Sequence, residues 1–263
     1  MNFKITLGQY YPSQSPIHLL DPRVKLMSTI NFIVVLFVAS SFVEYAIIAI
    51  VLYGIIRASG IPLKFVMRGL RALAYIIIFT MILNVLFAPG ETVLLQFFGI
   101  TITREAVLLA TQMAVRLIML LITSSVLTLT TSPISLTGAI ESLLGPLKKI
   151  NIPVHEIAMM MTIALRFIPT LLEEMDKITK AQTARGAGFD TGSISNRVKN
   201  LIPLLIPLFV SAFRRADELA TAMEARCYRG DINRTKMVEP AYTKADALAM
   251  CFMALLTILI ILY

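Results

Sequence analysis

Two arginines in this sequence end long amphipathic stretches, and each stands between small residues. Arginine has a planar, always charged guanidinium whose N–H groups form a fork that matches a carboxylate. Small neighbours leave room for the backbone of another protein to approach. We therefore expect the two segments to dock into clefts of a two-lobed partner. The candidate partner-binding residues are Ala184, Arg185, Gly186, Ala225, Arg226 and Cys227.

No catalytic motif is recognisable in the chain. It has no GxxxxGK[ST] phosphate-binding loop, no GxSxG nucleophile elbow and no HExxH helix. His18 and His155 are isolated in the sequence, so we expect solvated or capping side chains rather than ligands. Cys227 and Cys251 lie in unlike surroundings and are expected to be unpaired, reduced thiols. The sequence thus predicts no enzyme, no metal site and no cofactor bound by this chain.

Arg116 is the candidate for a charge inside a membrane span. Such a charge usually marks a translocation path, whereas near the membrane surface a long side chain reaches water instead. Both interpretations stay open. The other predicted spans carry few polar residues, which favours an anchoring role for them.

The composition is typical of a membrane protein. Of the 263 residues 57% are hydrophobic and 15% are charged, whereas a soluble domain has about 25% charged residues. The net charge of +8 is typical of a membrane protein whose basic loops are retained in the cytoplasm. Because Lys and Arg alternate with acidic residues and form no basic face, nucleic acid is not an expected partner.

Five apolar runs approach the roughly 20 residues that span a bilayer. A further apolar stretch, Val93–Ile102, is too short and is expected to be re-entrant or interfacial. The predicted fold class is all-α integral membrane, with about five transmembrane helices plus long cytoplasmic amphipathic coupling helices. The runs are Leu26–Ser41, Val43–Ile56, Ala72–Pro89, Ala106–Thr131 and Ala245–Tyr263.

The positive charges predict the orientation of these spans. More than half of the 24 Lys and Arg residues lie between Ser132 and Thr243. By the positive-inside rule the N-terminus and this segment are cytoplasmic, and the C-terminus is outside. The predicted domains are an N-terminal membrane domain of four spans (1–131), a cytoplasmic coupling-helix domain (132–243) and a C-terminal transmembrane helix (244–263). No cleavable signal peptide is expected.

Two amphipathic helices are predicted in the cytoplasmic segment. Ile157–Arg185 and Asn200–Arg226 carry apolar residues at helical spacing. Pro169 is expected to break or kink the first helix. A shift of 41 positions superimposes the two helices and brings Arg185 onto Arg226. The similarity indicates an internal repeat; chance likeness, or arginines that only complement the helix dipole, are the alternatives.

At these residues the chain resembles the transmembrane T component (EcfT) of energy-coupling factor transporters. The segment Ser15–Leu26 is similar to the N-terminal signature of that family. The tripeptides ending the two helices are similar to its two Ala-Arg-Gly motifs, and Cys227 stands where the family often has Gly.

The resemblance implies an energy-coupling subunit of a bacterial membrane importer, without catalysis of its own. Its partners would be two cytoplasmic ABC ATPase subunits (EcfA and EcfA'), which bind the ATP, and a membrane S component that selects a vitamin or micronutrient. Arg185 and Arg226 would dock in grooves of the ATPases, with the four small residues as their flanks. A conventional ABC permease subunit and a membrane-embedded lipid enzyme are the alternatives.

Overall fold

The computed structural model describes residues 10–88, 90–97, 100–187, 194–230 and 241–262. They divide into two compact units. The span unit comprises the described residues of Gly8–Ala139 and Glu239–Tyr263, and the two-helix unit comprises those of Ile140–Val238. The domain boundaries expected from the sequence, after residues 131 and 243, stay a prediction.

The architecture is all-α, as predicted, with one small hairpin of strands. The span unit contains α1 to α5 and α9, and α6 to α8 follow α5. In chain order the elements are α1 (Pro16–Leu19), α2 (Pro22–Val38), α3 (Phe42–Ser59), α4 (Leu63–Phe87), β1 (Val93–Phe97), β2 (Ile100–Thr103), α5 (Arg104–Thr130), α6 (Pro133–Leu143), a 3-10 helix (Gly145–Ile150), α7 (Val154–Ala184), α8 (Ile194–Ala225) and α9 (Lys244–Leu262).

The core of the span unit lies where α2, α3, α5 and α9 meet. Its buried side chains are apolar, and so are many exposed ones: Tyr75, Phe79 and Phe87 of α4 are 84%, 61% and 78% exposed. A soluble protein rarely exposes apolar patches of this extent, whereas lipid tolerates them. Core residues include Phe32, Leu36, Ile48, Leu52, Met119 and Leu256.

The helices able to cross a membrane differ in two places from the predicted runs. By length and composition, α3, α5, α7 and α9 each suffice, and α4, bent by 56° between Arg71 and Leu73, is a fifth candidate. Helix α2 has only 17 residues, or about 26 Å of rise, against a hydrocarbon core of about 30 Å. Helix α7 is expected in the cytoplasm from the sequence, yet it is also long and apolar enough to be a candidate membrane span.

The stretch Val93–Ile102, expected to be re-entrant or interfacial, is part of an antiparallel β-hairpin. Val93 pairs with Thr103, and Phe97 pairs with Ile100. The hairpin is fixed to the start of α5, because Glu105 accepts a hydrogen bond from the Thr92 hydroxyl at 2.6 Å. Pairing satisfies backbone groups that a short apolar helix would leave open at its ends.

Helices α7 and α8 pack against each other in antiparallel directions. Arg215 forms an ion pair with Glu174 at 2.8 Å, and the Gln182 amide donates to the Pro203 carbonyl at 3.5 Å. Later residues of α7 therefore contact earlier residues of α8. Helix α7 continues through Pro169, so of the expected break or kink the break does not occur, and the kink stays a prediction.

Candidate functional site

The end of α7 is closed by a backbone motif centred on Gly186. The Ala187 N–H donates to the Gln182 carbonyl, and the Gly186 N–H donates to the Thr183 carbonyl, both at 3.0 Å. Gly186 has a φ of +92°. These two bonds and the left-handed residue define a Schellman motif, in which Arg185 occupies the C-cap position.

Helix α8 ends in the same motif. The Tyr228 N–H donates to the Met223 carbonyl at 3.1 Å, and the Cys227 N–H donates to the Glu224 carbonyl at 2.9 Å. Cys227 has a φ of +59°, and Arg226 is the C-cap. The predicted equivalence of the two helix ends thus extends to their hydrogen bonds. We call Ala184–Gly186 and Ala225–Cys227 the two tips.

The small third residue of each tip has a backbone role in ending its helix. A left-handed conformation is strain-free only for glycine, because a Cβ then approaches the following carbonyl oxygen. Gly186 meets this requirement, whereas Cys227 adopts the conformation at a cost. Helix termination is a sufficient cause for the small residue, and the approach of a partner stays a prediction.

Both tip arginines extend into solvent. Arg185 and Arg226 are exposed, and within the described ranges neither guanidinium has a hydrogen-bond or ion-pair partner. In each helix two carbonyls of the last turn, those of Gln182 and Thr183 in α7 and of Met223 and Glu224 in α8, already have backbone donors from beyond the helix, and the arginines do not serve as their caps. Their donors are available to an external acceptor.

The two tips are placed symmetrically about one contact. Glu174 and Arg215, which form the ion pair, are equivalent positions under the 41-residue shift. Arg185 and Arg226 each lie about 16 Å farther along their helices. Because the helices are antiparallel, the tips stand at opposite ends of the pair. The arrangement has the pseudo-two-fold symmetry of an isologous contact.

The acidic residues of α7 have different partners. Asp176 pairs with Lys180 at 2.6 Å on the same helix, and both side chains are exposed. Glu174 instead pairs with Arg215 of α8. The sequence did not predict this contact between helices, although the charges at the two equivalent positions are opposite in sign.

His155, expected to be solvated or capping, is buried next to an acid. Its exposed fraction is 7%, and its Nδ1 lies 2.9 Å from a carboxylate oxygen of Glu141. The pair lines a cleft of about 250 Å³ that also includes Arg166 and Phe167. The His155–Glu141 pair connects the end of α6 to the first turn of α7. Sequence reasoning missed the pair because no motif marks it.

Arg116 caps a helix of the span unit. One of its terminal nitrogens donates to the Ala39 carbonyl at 3.0 Å and to the Tyr45 hydroxyl at 2.8 Å. Ala39 is the C-cap of α2, where a positive charge complements the helix dipole. These contacts favour a structural role over a translocation path.

His18 belongs to the N-terminal signature segment and is hydrogen-bonded at both ring nitrogens. Its Nε2 lies 2.9 Å from the Tyr11 carbonyl oxygen, which can only accept, so Nε2 carries the proton. The Ser15 hydroxyl then donates to Nδ1 at 2.6 Å. Burial lowers the pKa of His18 below its ordinary value of 6.5. His18 is thus held by two side-chain hydrogen bonds, and neither of them is to a carbonyl at a helix end, so the expected capping role is not observed.

Comparison with known proteins places the chain in a family. The family model described as "CbiQ: Cobalt transport protein" matches residues 13–237. A relative from Acidaminococcus fermentans is 53% identical over 97% of this chain and 95% of its own length. One from Thermosediminibacter oceani is 52% identical over 97% and 96%, and one from Bacillus subtilis is 41% identical over 91% of each. All three are named "Energy-coupling factor transporter transmembrane protein EcfT". The chain is therefore a membrane protein of the CbiQ cobalt transport family, similar along nearly its whole length to energy-coupling factor transmembrane proteins.

Proposed function

We propose that this chain is the energy-coupling subunit of an energy-coupling factor importer of the bacterial cell membrane. It joins two cytoplasmic ABC ATPases to a membrane S component that binds a vitamin or micronutrient. The name of the relatives supports the assignment. The chain contributes no catalysis, and ATP is bound by the partner subunits.

The arrangement of the tips is the observation that carries this proposal. The two exposed arginines lie at helix ends that are closed by the same backbone motif, and they are equally far along their helices from the Glu174–Arg215 contact. A pair of similar ATPases offers two equivalent docking surfaces related by approximate two-fold symmetry. A binder with two-fold related tips engages both surfaces in the same way, whereas a single coupling loop of a conventional permease subunit would not.

The chemistry of the tips indicates what the ATPase grooves contain. An exposed guanidinium without an internal partner is suited to a carboxylate, so each groove is expected to present an acidic residue. Truncating one partner of a buried, hydrogen-bonded charge pair at an interface costs about 2–5 kcal/mol. Loss of both arginines should therefore abolish docking.

The proposed orientation has the N-terminus and both tips in the cytoplasm and the C-terminus outside. Hydrogen bonds join the region just before α2 to the start of α9, and the first turns of α2 to the end of α5. These three helix ends therefore share one side of the span unit. The basic charge between α5 and α9 assigns that side to the cytoplasm.

Co-expression with two ATPases and an S component tests the proposal. Arg185→Ala plus Arg226→Ala should insert normally, fail to retain the ATPases on purification and show no ATP-driven uptake. Arg229→Ala is the matched control, because Arg229 is also exposed and lies just beyond the α8 cap. It should leave retention and uptake unchanged.

Two outcomes count against the proposal. Normal uptake by the double variant would show that the arginines are not the docking residues. Failure of the unaltered chain to retain any ATPase pair would refute the assignment itself, and would return attention to a membrane-embedded enzyme.

A further inference from the structure

A buried lysine near the start of α2 binds the end of α5. Lys25 is 8% exposed, and its ammonium donates to the Thr130 carbonyl at 3.1 Å and to the His18 carbonyl at 2.9 Å. Thr130 is the last residue of α5, so its carbonyl has no donor within that helix. The Tyr11 N–H holds the neighbouring Leu129 carbonyl at 2.9 Å. The segment before α2 and its first turns thus satisfy the end of α5.

A buried aspartate binds the same N-terminal segment to the start of α9. Asp246 is 1% exposed and accepts a hydrogen bond from the Asp21 N–H at 2.8 Å. Its other oxygen accepts from the Thr243 N–H at 2.8 Å and the Thr243 hydroxyl at 2.7 Å. Asp246 therefore fixes the first turn of α9 and joins it to the residue that precedes α2.

These contacts lie near two places, on either side of the two-helix unit, where the chain passes between its units. It leaves the span unit in α6, shortly after Thr130, and returns shortly before Asp246. Only Thr131 and Ser132 separate α5 from α6. Both connections to the two-helix unit are thus attached, on the span side, to one short segment. We call Asp21, Lys25 and Asp246, with the groups to which they are hydrogen-bonded, the N-terminal polar cluster.

The desolvation free energy of the cluster is larger than helix capping alone would require. It takes two carboxylates and an ammonium out of water, and such burial is a weak source of stability because desolvation offsets the attraction between the charges. Apolar contacts would join the helices at less cost. A set of directional bonds at both chain crossings, however, fixes the positions of the α5 and α9 ends, which apolar packing does less specifically.

We propose that the N-terminal polar cluster is the fixed attachment through which movement of the two-helix unit acts on the spans. Lys25 and Asp246 are positioning residues for energy coupling, with no contact to ATP or solute. When they are lost, the tips still bind the ATPases, but the ends of α5 and α9 yield to the movement instead of transmitting it. The inference rests on the proposed function.

The test measures solute transported per ATP hydrolysed by the complete complex in proteoliposomes. Lys25→Met removes the donors and keeps the length of the side chain, and Asp246→Asn removes the charge with little change in shape. Each variant should retain the ATPases and hydrolyse ATP, while transport per ATP falls at least tenfold. Lys25→Arg, which keeps a charged donor, should recover part of the ratio.

Two controls separate coupling from stability. Lys244→Met alters an exposed lysine in the first turn of α9 and should leave the ratio unchanged. Arg116→Met removes the cap from the opposite end of α2; it should lower thermal stability yet preserve transport per ATP in the complexes that assemble.

Three results would overturn the inference. The first is an unchanged ratio in assembled Lys25→Met and Asp246→Asn complexes. The second is failure of both variants to assemble, which would make the cluster a folding element. The third is an equal fall in the ratio for Arg116→Met, which would make the effect one of general stability. If the unaltered chain binds no ATPase, the proposed function fails instead.

Discussion

Replacing Gly186 with alanine tests whether the backbone conformation determines the tip. A Cβ at Gly186 would meet nothing within 4 Å, so no collision accompanies the change. What remains is the cost of a left-handed residue with a side chain, about 1–2 kcal/mol. That energy changes the equilibrium for opening the last turn of α7 by a factor of roughly 5–30.

Amide hydrogen exchange measures this opening directly. The Ala187 N–H, which is held by the Gln182 carbonyl, should exchange roughly 5–30 times faster in Gly186→Ala. Gly138→Ala is the matched control: Gly138 lies within α6, and its Cβ would also meet nothing within 4 Å. Cys227→Gly is the reverse perturbation and should slow exchange of the Tyr228 N–H. Unchanged exchange at both tips would show that the left-handed residue does not limit the stability of the helix end.

Two other perturbations follow from single contacts. The side chains of Arg215 and Glu174 are 35% and 25% exposed, so Glu174→Arg or Arg215→Glu should each lower the free energy of unfolding by about 0.5–1 kcal/mol. The double swap restores the pair and should recover most of the lost melting temperature. Additive losses in the double variant would contradict the ion pair. The folded-state pKa of His18 lies below 6.5 because the ring is buried, so its contribution to stability is complete above pH 6.5 and declines as the pH falls. His18→Gln should remove that part of the acid sensitivity of the melting temperature, and an identical pH profile would contradict it.

Local patterns predicted most of the helical architecture. The spacing of apolar residues located α7 and α8 to within a few residues, since an amphipathic helix repeats its environment every turn. The 41-residue shift also predicted equivalent helix ends. Helix α2 ends at Val38, before its hydrophobic run does, because Glu44 accepts from the N–H groups of Ser40 and Ser41 and so starts α3 at that point.

Contacts between residues distant in the chain were not predictable in this way. Lys25 and Thr130 are 105 positions apart, and Asp21 and Asp246 are 225 apart. No periodicity links such residues, since their contact depends on how the helices pack. The signature segment around Lys25 marked a family in the sequence, but only the fold shows which helix ends it binds.

The tips illustrate a different limit. The sequence singled out all six of their residues, and their role in docking stays a prediction. What the structure adds is the geometry of the third position: both helices end in a Schellman motif, which needs a left-handed residue there. Cys227 meets that need less well than Gly186, a difference that inspection of size alone does not reveal.

The unequal lengths of α2 and α5 have a consequence for the surrounding bilayer. Lys25 aligns the start of α2 with the end of α5, so α2 stops beside Arg116 while α5 continues for about 18 Å more. The turn between α2 and α3 therefore lies well short of the level that α5 reaches. Its backbone is supplied from within the protein: Arg116 and Gln112 donate to the carbonyls of Ala39 and Ser40, and Glu44 receives the Ser40 N–H. A turn whose backbone is hydrogen-bonded within the protein does not depend on water, so the step between the end of α2 and the start of α5 is compatible with a lipid surrounding.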